Sequence, residues 1–191
     1  VRSEACQRLP DVQLLCVSAP MDAHPWMRPF VQPYQDRFMT RVIMCRPEGR
    51  GSVALKSADP FGAPIIEEAV LDRDADIRRL REGVKLFREI GQQSALTAHC
   101  TEIGPGLARK SDQELDEYIR NIVTLSYHPA GTCRMGPDRD AMNVVDSECR
   151  VHGVEGLRVV DASIFPEPIG GNINAPIIMA AERVADRMRQ L

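Results

Sequence analysis

The spacing of hydrophobic residues changes along this chain. In the first part, short apolar stretches ("DVQLLCV", "FMTRVIMCRP" and "GSVALKS") are separated by turns that contain Pro and Gly, and this pattern predicts strands. The Pro-rich stretch "APMDAHPWMRPFVQPYQDR" has no period and predicts a loop. From Asp72 or Asp74 onward, apolar residues recur at three- and four-residue steps, which predicts a helix that stops near Gly91. The apolar positions of this helix are Ile77, Leu80, Val84 and Phe87.

Two further helices and a strand are predicted in the second part. "SDQE", from Ser111 to Glu114, has the form of a capping box and is followed by apolar residues on one helix face. "GLRVVDAS" has the pattern of a buried strand that ends in a polar turn. Pro176 suits the start of a last helix, because a residue there needs no backbone donor. The fold class predicted is α+β, with an antiparallel sheet and helices on one side.

Composition excludes some functions. A net charge of -3 over 191 residues offers no basic face for nucleic acid. No apolar run approaches the roughly 20 residues of a membrane helix, and the start "VRSEACQRLP" shows neither a signal pattern nor an initiator Met, which predicts a fragment or a processed chain. Six cysteines without a Cys-x-x-Cys pair predict reduced, scattered thiols. The expected location is the cytoplasm, with membrane association left open.

Two polar stretches carry the candidate chemistry. "SYHPAGTCRMG" presents His128 before a Pro, and "IFPEPIGGNINAP" presents Asn172 and Asn174 between a Gly pair and a Pro. Histidine is the side chain suited to take a proton near neutral pH, and an Asn amide can hold an oxygen beside it. This pair suits proton removal from an alcohol. No side chain accepts a hydride, so a redox function requires a cofactor, and the helix start at "NAP" would stabilise the negative charge of a reduced flavin.

Simpler explanations exist for the same residues. His128 could pack in a turn, the two asparagines could supply local hydrogen bonds, and Asp161 could close the turn after its strand. A zinc site that joins His128 to Cys133, or Cys149 to His152, lacks the paired spacing of zinc ligands, so we expect no metal.

Four longer motifs carry a resemblance to a known family. They are "RPEGRGSVALKSADP", "YHPAGTCRMG", "VVDSECRVHGVEGLRVVDASIFPEP" and "GGNINAPIIMAAERVADRM". In this order and spacing they resemble the C-terminal part of the glucose–methanol–choline (GMC) family of flavin oxidoreductases, in its choline or alcohol dehydrogenase branch. The resemblance implies a substrate-binding region followed by a strand and helix that return to the FAD domain.

The resemblance also implies roles for single residues. His128 would be the catalytic base beside the flavin, and Asn172 the second active-site residue. The implied reaction oxidises an alcohol to an aldehyde or ketone, with FAD as the hydride acceptor. Five residues would approach FAD: Asp161, Ala162, Asn174, Ala175 and Pro176.

One part of the family pattern is absent from this sequence. The Gly-x-Gly-x-x-Gly fingerprint of dinucleotide binding is not found. We therefore expect residues 1–140 to form the substrate-binding domain and residues 141–191 the return segment, without the main FAD-binding lobe and without FAD bound to this chain alone.

Partners and alternatives follow from this arrangement. The expected partners are a small alcohol and the missing lobe, but no nucleic acid. Self-association is also expected, through an exposed apolar surface around Ile164, Phe165 and Ile169. The alternatives are a fragment that folds without catalysing a reaction, and a lyase that uses His128 without net redox chemistry.

Overall fold

The computed structural model describes residues 1–3, 8–19 and 37–190. These residues belong to two compact units that alternate along the chain. The first unit comprises Val1–Met44 and Ile77–Ile122, and the second comprises Cys45–Asp76 and Val123–Leu191. Apart from its two end residues, the predicted Pro-rich loop at 19–37 lies outside the described residues. The assignment of residues 1–140 and 141–191 to separate roles stays a prediction.

The described part of the first unit contains a two-stranded sheet and three helices. Strands β1 (Val12–Val17) and β2 (Met39–Met44) pair antiparallel, with Val12 opposite Met44. The helices are α1 (Asp74–Gly91), most of which lies in this unit, α2 (Ser94–Thr97) and α3 (Asp112–Ile122). A Cβ atom at Gly83 of α1 would lie only 2.6 Å from Cγ1 of Val42, so helix and sheet approach closely there. The buried apolar residues include Val12, Ile77, Leu80, Leu115 and Ile119.

The predicted helix ends are found in the structure. Helix α1 ends at Gly91, as expected. At α3, the Ser111 hydroxyl accepts from the backbone N–H of Glu114 at 3.3 Å, and the Glu114 carboxylate accepts from the backbone N–H of Ser111 at 2.9 Å. These reciprocal bonds confirm the capping box. The hydrogen bond from the Ser111 backbone is the main cause that lowers the pKa of Glu114 below its ordinary value.

The second unit holds the other sheet, the last helix and long irregular segments. Strands β3 (Ser52–Ala54) and β4 (Ile65–Glu67) pair antiparallel. A 3-10 helix spans Ala162–Ile164, and α4 spans Asn174–Arg189. The core of this unit is built on three side chains that are at most 2% exposed: Val145, Cys149 and Ile164. Ala180 and Val184, both on α4, pack against that core.

The α+β class with antiparallel strands is confirmed, but two details differ. Within residues 1–3, 8–19 and 37–190 the strands form two separate two-stranded sheets instead of one. In "GLRVVDAS" only Arg158 forms a bridge, with Arg150, and Val159 donates one further backbone bond to Cys149. The facing chain turns at Cys149, whose φ is +60°, so the ladder cannot extend into a strand.

The expectation of an exposed apolar surface around Ile164, Phe165 and Ile169 is wrong. Ile164 is only 2% exposed and lies in the core, while Phe165 and Ile169 are half-buried. The cause is the 3-10 turn, which directs Ile164 toward Val145 and Cys149. Self-association through this surface therefore loses its structural basis.

No helix among the described residues combines the length and the apolar character needed to cross a membrane. Within the same residues, no group of three or more His, Cys, Asp or Glu side chains is arranged to hold a metal ion.

Candidate functional site

His128 lies in an irregular segment that follows α3. Tyr127, just before it, has a φ of +58°, a left-handed conformation that is uncommon for a residue with a side chain. The side chain of Tyr127 is 82% exposed, whereas His128 is half-buried. Within the described residues the imidazole ring of His128 has no hydrogen-bond partner, so both ring nitrogens are available to a substrate.

The segment that follows His128 is bound along the 3-10 helix. The backbone N–H of Cys133 donates to the carbonyl of Ser163 at 3.0 Å, and that of Met135 donates to the carbonyl of Ile164 at 2.8 Å. Gly131, with a φ of +91°, lies so near Phe165 that a Cβ atom would be 3.3 Å from the Phe165 carbonyl oxygen. The histidine motif and the "DASIF" motif therefore form one backbone-bonded structure.

Asp161 caps the 3-10 helix that follows it. Its Oδ1 accepts from the backbone N–H of Ser163 at 2.8 Å and from the Ser163 hydroxyl at 2.5 Å, which caps the 3-10 helix. The turn-closing explanation for Asp161 is therefore confirmed. Asp161 is exposed and Ala162 is half-buried, and their contact with FAD stays a prediction.

The two asparagines lie on either side of a buried anchor at the start of α4. Asn172 and Asn174 are exposed, whereas Ile173 between them is only 6% exposed. Helix α4 begins at Asn174, so Pro176 is its third residue and not its first. This position still suits Pro, since the N–H of the third helical residue has no partner inside the helix.

The start of α4 is open toward solvent or a ligand. Ile173 precedes the helix and supplies no side-chain cap. Asn174 and Ala175 are exposed and Pro176 is half-buried. Backbone N–H groups at an uncapped helix start carry a partial positive charge, which suits a group that gains negative charge.

All of the predicted site residues belong to the second unit. The structure joins the segment after His128 to the Asp161 corner through backbone bonds, and joins that corner to α4 through the core around Ile164. Whether the side chains of His128 and Asn172 reach one another stays a prediction.

Cys149 and His152, the second pair considered as zinc ligands, belong to the local structure of this unit. Cys149 is 2% exposed in the core, and burial raises the pKa of its thiol. The Nε2 atom of His152 lies 3.0 Å from the carbonyl oxygen of Gly136, and its Nδ1 atom lies 3.7 Å from a carboxylate oxygen of Asp138. His152 therefore stabilises the turn that follows the histidine motif.

The turn at Asp146 supports the same core. Its Oδ1 accepts from the backbone N–H groups of Glu148 and Arg150, and its Oδ2 accepts from the Arg150 guanidinium at 2.8 Å. Burial acts to raise the pKa of Asp146, but the bonds from Arg150 outweigh it and the pKa lies below its ordinary value. This turn places Cys149 in the core.

One residue near the site was missed by sequence reasoning. The guanidinium of Arg46 lies against Gly170, two residues before Asn172. Arg46 opens the motif "RPEGRGSV", but nothing in the sequence shows that it meets the "GGN" segment more than a hundred residues later.

Comparison with known proteins identifies relatives of this chain. It is 46% identical over 153 residues to oxygen-dependent choline dehydrogenase 1 of Chromohalobacter salexigens, and 47% identical over the same length to an oxygen-dependent choline dehydrogenase of Klebsiella pneumoniae. Each alignment covers 80% of this chain and 27% of the relative. The chain thus spans about a quarter of the length of these curated relatives.

Solved structures show the same fold. Pyridoxine 4-oxidase from Mesorbium loti superposes with a TM-score of 0.82 at 30% identity, covering 95% of this chain and 35% of that one. A fungal aryl-alcohol oxidase superposes with a TM-score of 0.71 at 33% identity, covering 80% of this chain and 25% of that one. A family model described as GMC oxidoreductase matches residues 47–181. The chain therefore belongs to the GMC oxidoreductase family, and the resemblance seen in its motifs is confirmed.

Proposed function

We propose that, in the full-length protein, this segment supplies the base and the oxygen-binding amide for FAD-dependent oxidation of an alcohol to an aldehyde or ketone. The observation that carries the proposal is the backbone bonding of the His128 motif to the 3-10 corner at Ser163 and Ile164. This bonding holds the segment that follows the base against the segment expected to approach FAD. The relatives named as choline dehydrogenases favour choline or a similar small alcohol as the substrate.

Each proposed role uses a group that the structure leaves available. A ring nitrogen of His128 takes the hydroxyl proton of the substrate, and it has no competing hydrogen-bond partner among the described residues. The exposed amide of Asn172 donates a hydrogen bond to the substrate oxygen and so orients the carbon that loses hydride. FAD, when bound, supplies the acceptor for that hydride.

The residues around the start of α4 fit a flavin. Asn174 and Ala175 are exposed residues at a helix start that has no side-chain cap. A helix N-terminus favours negative charge, and the reduced ring carries such charge. Asp161 and Ala162 lie at the exposed corner that is bonded to the His128 motif. In the proposed enzyme, FAD is bound both by these residues and by the lobe that carries the glycine fingerprint.

The experiment replaces His128 by Ala in the full-length, FAD-loaded protein. Turnover of choline and of simple alcohols should fall by roughly 100- to 10,000-fold, the range for a positioned general base, while the flavin absorbance per chain stays unchanged. His99→Ala is the matched control, since His99 is an exposed histidine in the first unit, and it should leave turnover unchanged.

Three results would contradict the proposal. Turnover of His128→Ala within a few-fold of the parent would remove His128 from the role of base. A product formed without reduction of flavin would indicate the lyase alternative. A full-length protein that binds FAD but oxidises no alcohol would favour the alternative without catalysis.

A further inference from the structure

Arg46 and Gly170 meet at unusually short range. A Cβ atom built on Gly170 would lie 2.8 Å from Nη2 of Arg46, 3.2 Å from its Cζ and 3.2 Å from its Nε. Three atoms of one guanidinium within 3.2 Å of this position mean that the group occupies the space that a Cβ atom on Gly170 would need. Any residue other than Gly at this position must displace the guanidinium. Arg46 and Gly170 both belong to the second unit.

The segment that carries Arg46 is itself held in place. Asp76 is 1% exposed, and its carboxylate accepts from the backbone N–H groups of Glu48 and Gly49, each at 2.9 Å. Both bonds fall within three residues of Arg46, and the Nε atom of Arg46 is buried. The backbone next to Arg46 is therefore anchored, and Arg46 brings a planar guanidinium from it to Gly170.

The segment under Arg46 leads directly to Asn172. Ile169 and Gly171 form a tight turn, in which the N–H of Gly171 donates to the carbonyl of Ile169 at 2.6 Å. Ile173, one residue past Asn172, is buried. Asn172 therefore lies between two anchors, the Arg46 contact at Gly170 and the buried side chain of Ile173.

We propose that Arg46 is a positioning residue for Asn172. Its guanidinium lies against Gly170 and restricts the turn at 169–171, so that the amide of the exposed Asn172 is held in one orientation. This inference rests on the proposed role of Asn172 in holding the substrate oxygen. Arg46 acts through the turn and does not itself touch the substrate.

The contact is tested by a double-mutant cycle in the full-length protein. Gly170→Ala should raise hydrogen exchange in the peptide that covers residues 168–174 by roughly 10-fold, because the new methyl group displaces the guanidinium. In an Arg46→Ala background the same change should have an effect of less than about 2-fold, since the obstacle is gone. Arg46→Lys keeps the positive charge but lacks the planar guanidinium. In that background too, Gly170→Ala should change hydrogen exchange by less than about 2-fold.

The neighbouring glycine provides a matched control. A Cβ atom on Gly171 would meet nothing within 4 Å, and neither glycine has a positive φ. Gly171→Ala should therefore change exchange in the same peptide by less than about 2-fold. Equal effects of Gly170→Ala with and without Arg46, or equal effects at Gly170 and Gly171, would overturn the inference.

Kinetics separate positioning from general stability. In the FAD-loaded enzyme, Arg46→Lys should lower kcat and kcat/KM together by roughly 10- to 100-fold, the range expected for a small misplacement of a catalytic group, with KM little changed. A rise in KM alone, or a fall in melting temperature without a change in kcat, would contradict a positioning role. If Asn172→Ala leaves turnover intact while the exchange cycle shows coupling, the proposed function fails but the Arg46–Gly170 contact stands.

Discussion

The backbone N–H of Cys133 donates to the carbonyl of Ser163 at 3.0 Å. A second bond, from Met135 to Ile164 at 2.8 Å, continues the same alignment. These bonds connect the segment that begins at His128 with the corner that follows Asp161. Because backbone atoms make the connection, a change of side chain affects it only through the fold of the loop or through the core beneath it.

Gly131→Ala tests the fold of this loop. The change forces a residue with a Cβ atom to a φ of +91° and sets that atom 3.3 Å from the Phe165 carbonyl oxygen. We expect the free energy of unfolding to fall by about 1–2 kcal/mol from backbone strain alone. Turnover of the full-length enzyme should also fall, because the loop next to His128 shifts.

Gly153→Ala is the control for Gly131→Ala. Gly153 has a φ of +72°, but a Cβ atom there meets nothing within 4 Å. In chemical denaturation, Gly153→Ala should lose about as much stability as Gly131→Ala. Its turnover should stay unchanged. Equal turnover in the two variants would mean that the contact with Phe165 does not shape the active site.

Replacement of Ile164 tests the core under the corner. Ile164 is 2% exposed and packs with Val145 and Cys149. Ile164→Val should lower the free energy of unfolding by about 0.5–1.5 kcal/mol, and Ile164→Ala by about 2–5 kcal/mol, through lost burial and a residual cavity. Ile178→Val, at a position 54% exposed on α4, should change stability by less than about 0.5 kcal/mol. Similar losses at both positions in denaturant melts would contradict the burial of Ile164.

Asp146 should make stability depend on pH. Its pKa is lower in the folded chain than in the unfolded one, because the bonds from Arg150 outweigh burial. A lowered pKa contributes stability that is present above the unfolded value, near about 4, and is lost as the pH falls through the folded value. In Asp146→Asn, stability should be lower at neutral pH, and its decline below about pH 4 should be less steep. Thermal melts across this pH range provide the measurement. If the stability of Asp146→Asn declines as steeply as that of the parent, Asp146 does not cause the pH dependence.

FAD should bind only weakly to this 191-residue chain when the chain is produced without the rest of the full-length protein. The Asp161 corner and the start of α4 offer a few hydrogen bonds of about 1 kcal/mol net each, against an association cost of at least about 4 kcal/mol. The glycine turn that cradles a diphosphate is absent from the sequence. Gel filtration of the chain after incubation with FAD should leave no flavin absorbance in the protein peak. Near-equal amounts of flavin and chain in that peak would contradict the expectation.

Local signals predicted the regular elements well. Ser111 and Glu114 were identified as a capping box because the four residues that form it are adjacent in sequence. The strand predicted in "GLRVVDAS" is not found, for the opposite reason. Its ladder depends on a facing chain that turns at Cys149, and this turn is not visible in the strand's own pattern.

By itself, the sequence determined the α+β class, the antiparallel strands, the family and the residues that carry the candidate chemistry, because periodicity and motif are local properties of the chain. Only the tertiary structure decided which segments meet. It placed Ile164 in the core instead of on a surface, bonded Cys133 to Ser163, and brought Arg46 against Gly170. Such contacts join residues far apart in sequence, and they depend on the packing of whole side chains and on the paths of two backbones at once. No pattern within a single segment encodes them.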